Sequence, residues 1–386
     1  MSRKAISGNL FYLPIVGGIL ILLLIPLSAW SSDIEVSTFM NIGAAKTNAS
    51  EAYLDRISDN IEWGDSGLGI NLSSKLSRDL SAQAQLFSHD ANDGVIGDWY
   101  FIRYRVSPGT VLKLGKLKYP GNMYSEVPDV GHAYLWVRPV QELYGHNEAN
   151  IAPVYESLFG ASIAKTNFVG DDWEMNYTGF VGKNEAEDAS EPNMNNIFGV
   201  RFSMTNEVVD LFVTAMTGEF EFVVAHGEDH GEEEEHEGEE EEEEHEGEEE
   251  EHEEEETNPL DGKNQNVISL GGKLNLNNFI ALFEYSMVDV DDFDDLETDI
   301  WYATFGYQMN RVTPHITFAE FDQESGLAHE SITFGLKYQL TPESVGKIEY
   351  QQIDPSGEAG EAGVFYEETP DDDTVNVFSI SYSVMF

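Results

Sequence analysis

The chain has no cysteine, so no disulfide braces it, and the composition fits an oxidising compartment where stability comes from packing and hydrogen bonding alone. Basic residues are scarce. Only 20 Lys and Arg stand against 72 Asp and Glu, for a formal charge of −52. Binding to phosphate backbones needs clustered cations, so no nucleic acid is expected as a partner. After residue 32 no long stretch places apolar residues at i, i+3, i+4 and i+7, which excludes a helical architecture. The one continuous apolar run is "LFYLPIVGGILILLLIPL", preceded by the basic "MSRK" and followed by the small-residue segment "SAWS". That layout predicts a signal peptide over residues 1–31 and a mature chain of 32–386. An anchored helix is the competing reading, since the run nearly spans a bilayer, but Pro14, Pro26 and Gly17-Gly18 weaken it.

What the chain has in abundance is alternation. In "SITFGLKYQL", Ile332, Phe334, Leu336, Tyr338 and Leu340 share one face, and Thr333, Gly335, Lys337 and Gln339 the other. "IWYATFGYQM" sets Trp301, Ala303, Phe305, Tyr307 and Met309 against Tyr302, Thr304, Gly306 and Gln308. In "WYFIRYRV", Tyr100, Ile102, Tyr104 and Val106 oppose Phe101, Arg103 and Arg105. Successive side chains on a strand point to opposite sides, so each segment reads as a strand with an apolar and a polar face. Sixteen such segments are expected between residues 33 and 386, the eighth beginning at 196 and the fourteenth at 331. Short connections such as "SPG", "NN" and "NR" alternate with long ones, including 120–155, 223–265 and 354–373. The expected fold is all-β: a transmembrane antiparallel barrel of about 16 strands with short periplasmic turns and long extracellular loops. A soluble sheet protein would also alternate, but its polar positions would not be so uniformly Gly, Ser, Thr, Asn and Gln.

The ending "VFSISYSVMF" alternates Phe378, Ile380, Tyr382, Val384 and Phe386, and the chain stops on the aromatic. This resembles the last strand of Gram-negative outer-membrane proteins, and the whole mature chain resembles a 16-stranded outer-membrane porin. The resemblance implies a water-filled channel for passive diffusion of small hydrophilic solutes and ions, set among outer-membrane lipid and lipopolysaccharide. It implies that Phe386 is the signal read by the barrel-assembly machinery, and that the barrels associate as a homotrimer. It also implies that the third outer loop, here 120–155, folds inward and narrows the pore. That loop carries Tyr124, Tyr134, Trp136 and Tyr144, which favours packing against a wall over exposure to solvent.

If the apolar faces meet lipid, the polar faces place Arg103, Arg105, Lys113, Arg201, Lys273, Lys337 and Lys347 inward, with Glu35, Glu174, Glu284 and Glu349. General porins carry a basic wall opposite acidic groups on the inward loop. By that resemblance Arg103, Arg105, Lys113, Arg201 and Lys337 line the pore, facing Glu126, Asp129 and Glu142. Such facing charges put a transverse field across the narrowest section. Lys116 and Lys118 fall out of phase with Lys113, which implies either a bulge near Gly115 or an interfacial position.

Residues 226–256 read "HGEDHGEEEEHEGEEEEEEHEGEEEEHEEEE", with five of the ten histidines, 22 carboxylates and no cation. Nothing in it can pay the entropy of ordering, so it is expected to be a disordered extracellular loop between the ninth and tenth strands. His226, His230, His236, His245 and His252 lie among carboxylates, a donor mixture that suits Zn, Cu, Ni or, through the carboxylates, Ca. No fixed geometry selects one ion, so loose gathering of divalent cations is expected and no cofactor is required. A metal-capturing or solute-specific channel, or a surface adhesion barrel, stand as alternatives. Outside the loop only His89, His132, His146, His315 and His329 are available for acid–base work, in no motif of an enzyme, and none is expected.

Overall fold

The computed structural model describes residues 34–54, 57–89, 94–145, 157–170, 172–184, 192–222, 258–355, 370 and 374–386. Sixteen strands run in order: β1 (Ile34–Thr47), β2 (Gly67–Lys75), β3 (Leu80–His89), β4 (Ile96–Ser107), β5 (Thr110–Lys118), β6 (Ser157–Val169), β7 (Trp173–Asn184) and β8 (Asn193–Thr205). They continue as β9 (Val209–Glu221), β10 (Asn264–Leu276), β11 (Phe279–Val290), β12 (Thr298–Tyr307), β13 (Val312–Gln323), β14 (Ala328–Thr341), β15 (Ser344–Asp354) and β16 (Val375–Met385). Each pairs antiparallel with its neighbours in sequence, and β1 pairs with β16 to close a barrel. Closure removes the unpaired edges that lipid cannot satisfy. At the seam, Thr38 and Phe386 exchange backbone hydrogen bonds of 2.7 and 2.9 Å. The largest departures from the expected starts are at β8 and β14, each three residues earlier than the alternation suggested.

The two faces follow the sequence pattern. Ile332, Phe334, Leu336 and Tyr338 of β14 point outward, 37–51% exposed, as do Phe378, Ile380 and Tyr382 of β16. Among the described residues no helix is long and apolar enough to cross a membrane; the outward strand faces supply the apolar surface. Inward, register aligns small and polar residues: Thr304 with Thr317 and Thr333, Gly306 with His315, and Gly335 with Glu349. Gly335 is required there, because the His315 ring lies 2.1 Å from where a β-carbon would be.

Connections on one end are tight. Pro108-Gly109 joins β4 to β5 with Gly109 at φ +72°, and Asn277-Asn278 joins β10 to β11. Those on the other end range from residues 324–327 to residues 222–263. The expected signal peptide and the 226–256 run lie outside the described residues.

Candidate functional site

The segment 119–145 leaves β5 and turns into the barrel. It ends in a single helical turn, α1 (Gln141–Tyr144). Its aromatic side chains drive the turn inward, because burying them against the wall removes large apolar areas from water. Tyr124 meets Trp136 edge-to-face at 5.6 Å, and Trp136 meets Tyr302 of β12 at 5.4 Å. Trp136, only 2% exposed, donates its indole N–H to Thr317 Oγ1 at 2.8 Å. Leu135, Val140 and Leu143 join the same cluster with Ile300, Ala319 and Phe321 from the wall.

Polar contacts then fix the segment in place, and three wall cations grip its main chain. Arg201 Nη1 donates to the carbonyls of Pro120 (3.2 Å) and Gly121 (2.7 Å), and Thr214 Oγ1 donates to the Gly121 carbonyl at 2.8 Å. Lys337 Nζ reaches the carbonyls of His132 and Tyr134, both at 3.0 Å. Lys347 Nζ donates to the carbonyls of Gly131 and Trp136 beneath the Tyr134 ring. Glu284 of β11 accepts from the Met123 N–H (2.8 Å), from Tyr144 Oη (2.6 Å) and from Tyr302 Oη. Arg138 pairs with Asp65, Nη2 to Oδ2 at 2.5 Å and Nε to Oδ1 at 3.2 Å, both side chains 8% exposed. Interior carbonyls accepting from ammonium and guanidinium groups make charge-assisted bonds, the stronger class.

The residues singled out from sequence therefore divide. Arg201 and Lys337 face inward but are occupied by the loop. Lys113 of β5 stands across from Arg103 of β4 and lies 3.6 Å from Glu126, whose side chain is 59% exposed. Arg105 is placed near the Pro108-Gly109 turn, one pleat beyond Arg103. Neither arginine side chain has a hydrogen bond or ion pair among the described residues. Asp129 does not face a basic row. Its carboxylate lies 3.4 Å from Lys118, and its carbonyl accepts from Asn41. Glu142 is turned away from the cations, 2% exposed and hydrogen-bonded to Ser331. Burial raises the Glu142 carboxyl above the usual carboxylate range, with the Ser331 bond opposing. Burial, then the neighbouring Lys337 ammonium, holds His132 below the usual imidazole range. Of the expected facing charges, Lys113 and Glu126 do meet, while Asp129 and Glu142 are held in close contacts elsewhere, because buried carboxylates sit where a donor can reach them. His226, His230, His236, His245 and His252 lie outside the described residues.

No bulge occurs at Gly115. The β4–β5 register runs unbroken through Phe101–Gly115 and Tyr100–Lys116, while Gly115 takes φ +143° with Tyr100 O 2.3 Å from its missing β-carbon. Register shifts lie instead at Arg105/Ser107, near the turn end of the same ladder, and one strand back, at Gln85/Leu86 on the β3–β4 ladder, beside Asp98. Asp98 is the 2.7 Å partner of Lys118, so that lysine ends β5 in a buried ion pair.

Between the segment and strands β4 to β8 a cleft of about 330 Å³ remains. Its wall includes Trp99, Phe101 and Lys113, and its floor Leu117, Leu158 and Phe180. Sequence reasoning passed over Trp99 and Phe101, although their phase with Arg103 already marked them as inward. It also missed Arg138 and Asp65, for which no local pattern exists.

No family model matches the chain, and no curated protein does. Solved structures do. An anion-selective porin from Comamonas acidovorans superposes with a TM-score of 0.60 at 10% identity, covering 92% of this chain and 100% of that one. Salmonella typhi OmpF in complex with daunomycin gives 0.55 at 11%, covering 92% and 98%. In-vitro folded OmpT of Vibrio cholerae, in its trimer form, gives 0.54 at 10%, covering 92% and 99%. The chain has the fold of the Gram-negative outer-membrane porins.

Proposed function

We propose that a chain with this fold is itself a porin, a water-filled channel for passive diffusion of small hydrophilic solutes and ions across the outer membrane of a Gram-negative bacterium. The observation that carries the reading is the asymmetric placement of segment 119–145. It is bound along β8 to β16 by Arg201, Glu284, Lys337 and Lys347, while among the described residues a cleft remains beside β4 to β8. A lumen narrowed from one side passes small solutes and holds back large ones. Arg103, Arg105 and Lys113 are its pore-lining cations in this reading, with Glu126 as the loop's counter-charge. The outward apolar faces meet lipid and lipopolysaccharide, and three barrels associate, as in the trimer form of the Vibrio cholerae protein. Residues 1–31 direct export, and the 226–256 loop gathers divalent cations loosely at the outer mouth.

Purified, folded protein should conduct in planar bilayers and admit small sugars into liposomes. Absence of both would refute the channel, whatever the solute.

A further inference from the structure

We infer that the wall of the cleft beside the inward segment is a binding step for small aromatic carboxylates. This rests on the channel reading and narrows it to a solute class.

Three features of β4 and β5 point there. First, the inward face of β4 presents two neighbouring aromatic side chains to the cleft. Trp99 and Phe101 stack at 5.4 Å with their planes 26° apart. Apolar Leu117, Leu158 and Phe180 lie in the same cleft, so a ring leaving water finds both a π face and an apolar floor. Second, cations adjoin that stack. Lys113 Nζ sits 5.1 Å from the Phe101 centroid, and Arg103 stands across from Lys113, one pleat further along β4. An aromatic ring stacks at centroid distances of about 4.5–7 Å, so its carboxylate lies within reach of the Lys113 ammonium. The Trp99 indole N–H has no protein partner among the described residues and can donate to the same anion. Third, the cations are only weakly paired. Lys118 is taken by Asp98 and Asp129, and Arg201 by loop carbonyls, which among the described residues leaves Arg103 and Lys113 against Glu126. Glu126 touches Lys113 only at 3.6 Å with its side chain 59% exposed, so it is a counter-ion that an entering carboxylate displaces.

The combination selects. An aliphatic carboxylate lacks the ring, a neutral sugar lacks the charge, and an aromatic amine is repelled by Arg103 and Lys113. Beyond the stack, Arg103 and then Arg105 follow at successive inward positions toward the short turns, a path along which the anion passes from one cation to the next.

The test uses the full mature chain in planar bilayers carrying KCl current, with benzoate as probe and acetate, glucose and benzylamine as comparisons. Benzoate should reduce the current with a half-effect concentration about tenfold below that of any comparison, from the stacking gain and the charge together. Trp99→Leu with Phe101→Leu should raise that concentration roughly tenfold while KCl conductance persists, and Lys113→Gln should raise it severalfold. Glu126→Gln should lower it. A conducting channel on which benzoate acts no more strongly than acetate, or on which the Trp99/Phe101 variant changes nothing, overturns the inference and leaves the channel standing. No KCl current overturns the channel. Tryptophan fluorescence of the folded protein in detergent then decides the site on its own: benzoate quenching lost in Trp99→Leu supports it, and quenching unchanged in that variant overturns it.

Discussion

Replacing Asp65 with asparagine attacks an ion pair that ties the inward segment to the β1–β2 connection. Arg138 and Asp65 are both 8% exposed and meet through two bonds, and Arg138 Nη2 also donates to Ser379 Oγ at 2.9 Å. The amide keeps the shape but removes the charge, so the buried guanidinium loses its hydrogen-bonded carboxylate. Breaking one side of a buried pair costs about 3–5 kcal/mol. The segment can evade part of that cost by leaving the wall, so the change should appear as undocking before global unfolding. A shift of about 3 kcal/mol raises the undocked population on the order of 10²-fold. Hydrogen exchange should read this as faster exchange over residues 131–140, with the strand amides of β14 to β16 unchanged. Adding Arg138→Met should recover much of the loss, since neither charge then remains unpaired, giving a coupling energy above about 1.5 kcal/mol in the double-mutant cycle. Coupling below about 0.5 kcal/mol, or unchanged exchange over 131–140, would refute the claim that this pair holds the segment.

If Arg103 and Arg105 line the proposed channel, changing both to Ala should shift the reversal potential in a KCl gradient toward cations, because two positive charges leave it; an unchanged potential would remove them from the path. His132 supplies a pH dependence. A depressed imidazole pKa means stability that is present above the usual value of 6.5 and is lost as pH falls through the lower folded value. Acidification should therefore speed exchange at the Lys337 contact, and His132→Gln should abolish that part. Glu142 acts in the opposite sense, since its raised pKa favours docking at low pH, and Glu142→Gln should flatten the alkaline limb. Deleting Phe386 should lower the amount of folded barrel, because its backbone pairs with Thr38 at the seam, while surviving channels conduct as before. Normal surface levels would count against it.

The strands were legible because a barrel wall separates two solvents. Every residue of β14 or β16 faces lipid or lumen, and the period of two records the choice directly. The inward turn of 119–145 was legible in kind from Tyr124, Tyr134, Trp136 and Tyr144, since four large rings in one connection need a surface to cover them. How it is held was not. Lys347 grips the carbonyls of Gly131 and Trp136 more than two hundred positions away, and a main-chain carbonyl leaves no trace in the sequence. The roles given to Arg201, Lys337 and Glu142 came from a pattern of facing charges, whereas burial favours whichever partner lies within hydrogen-bond distance.

Where the segment is held through its main chain, its outward side chains can change without loss of that grip. Arg201, Lys337 and Lys347 bind atoms that every residue type possesses, while Glu126 and Val127 project from the same segment, Glu126 touching the wall only through its exposed pair with Lys113. The projecting positions can therefore be rewritten one at a time, to new charge or new bulk, on a mount that does not register the exchange. For an engineer this separates the choice of solute from the integrity of the barrel, and the separation is built into which atoms the lysines and the arginine hold.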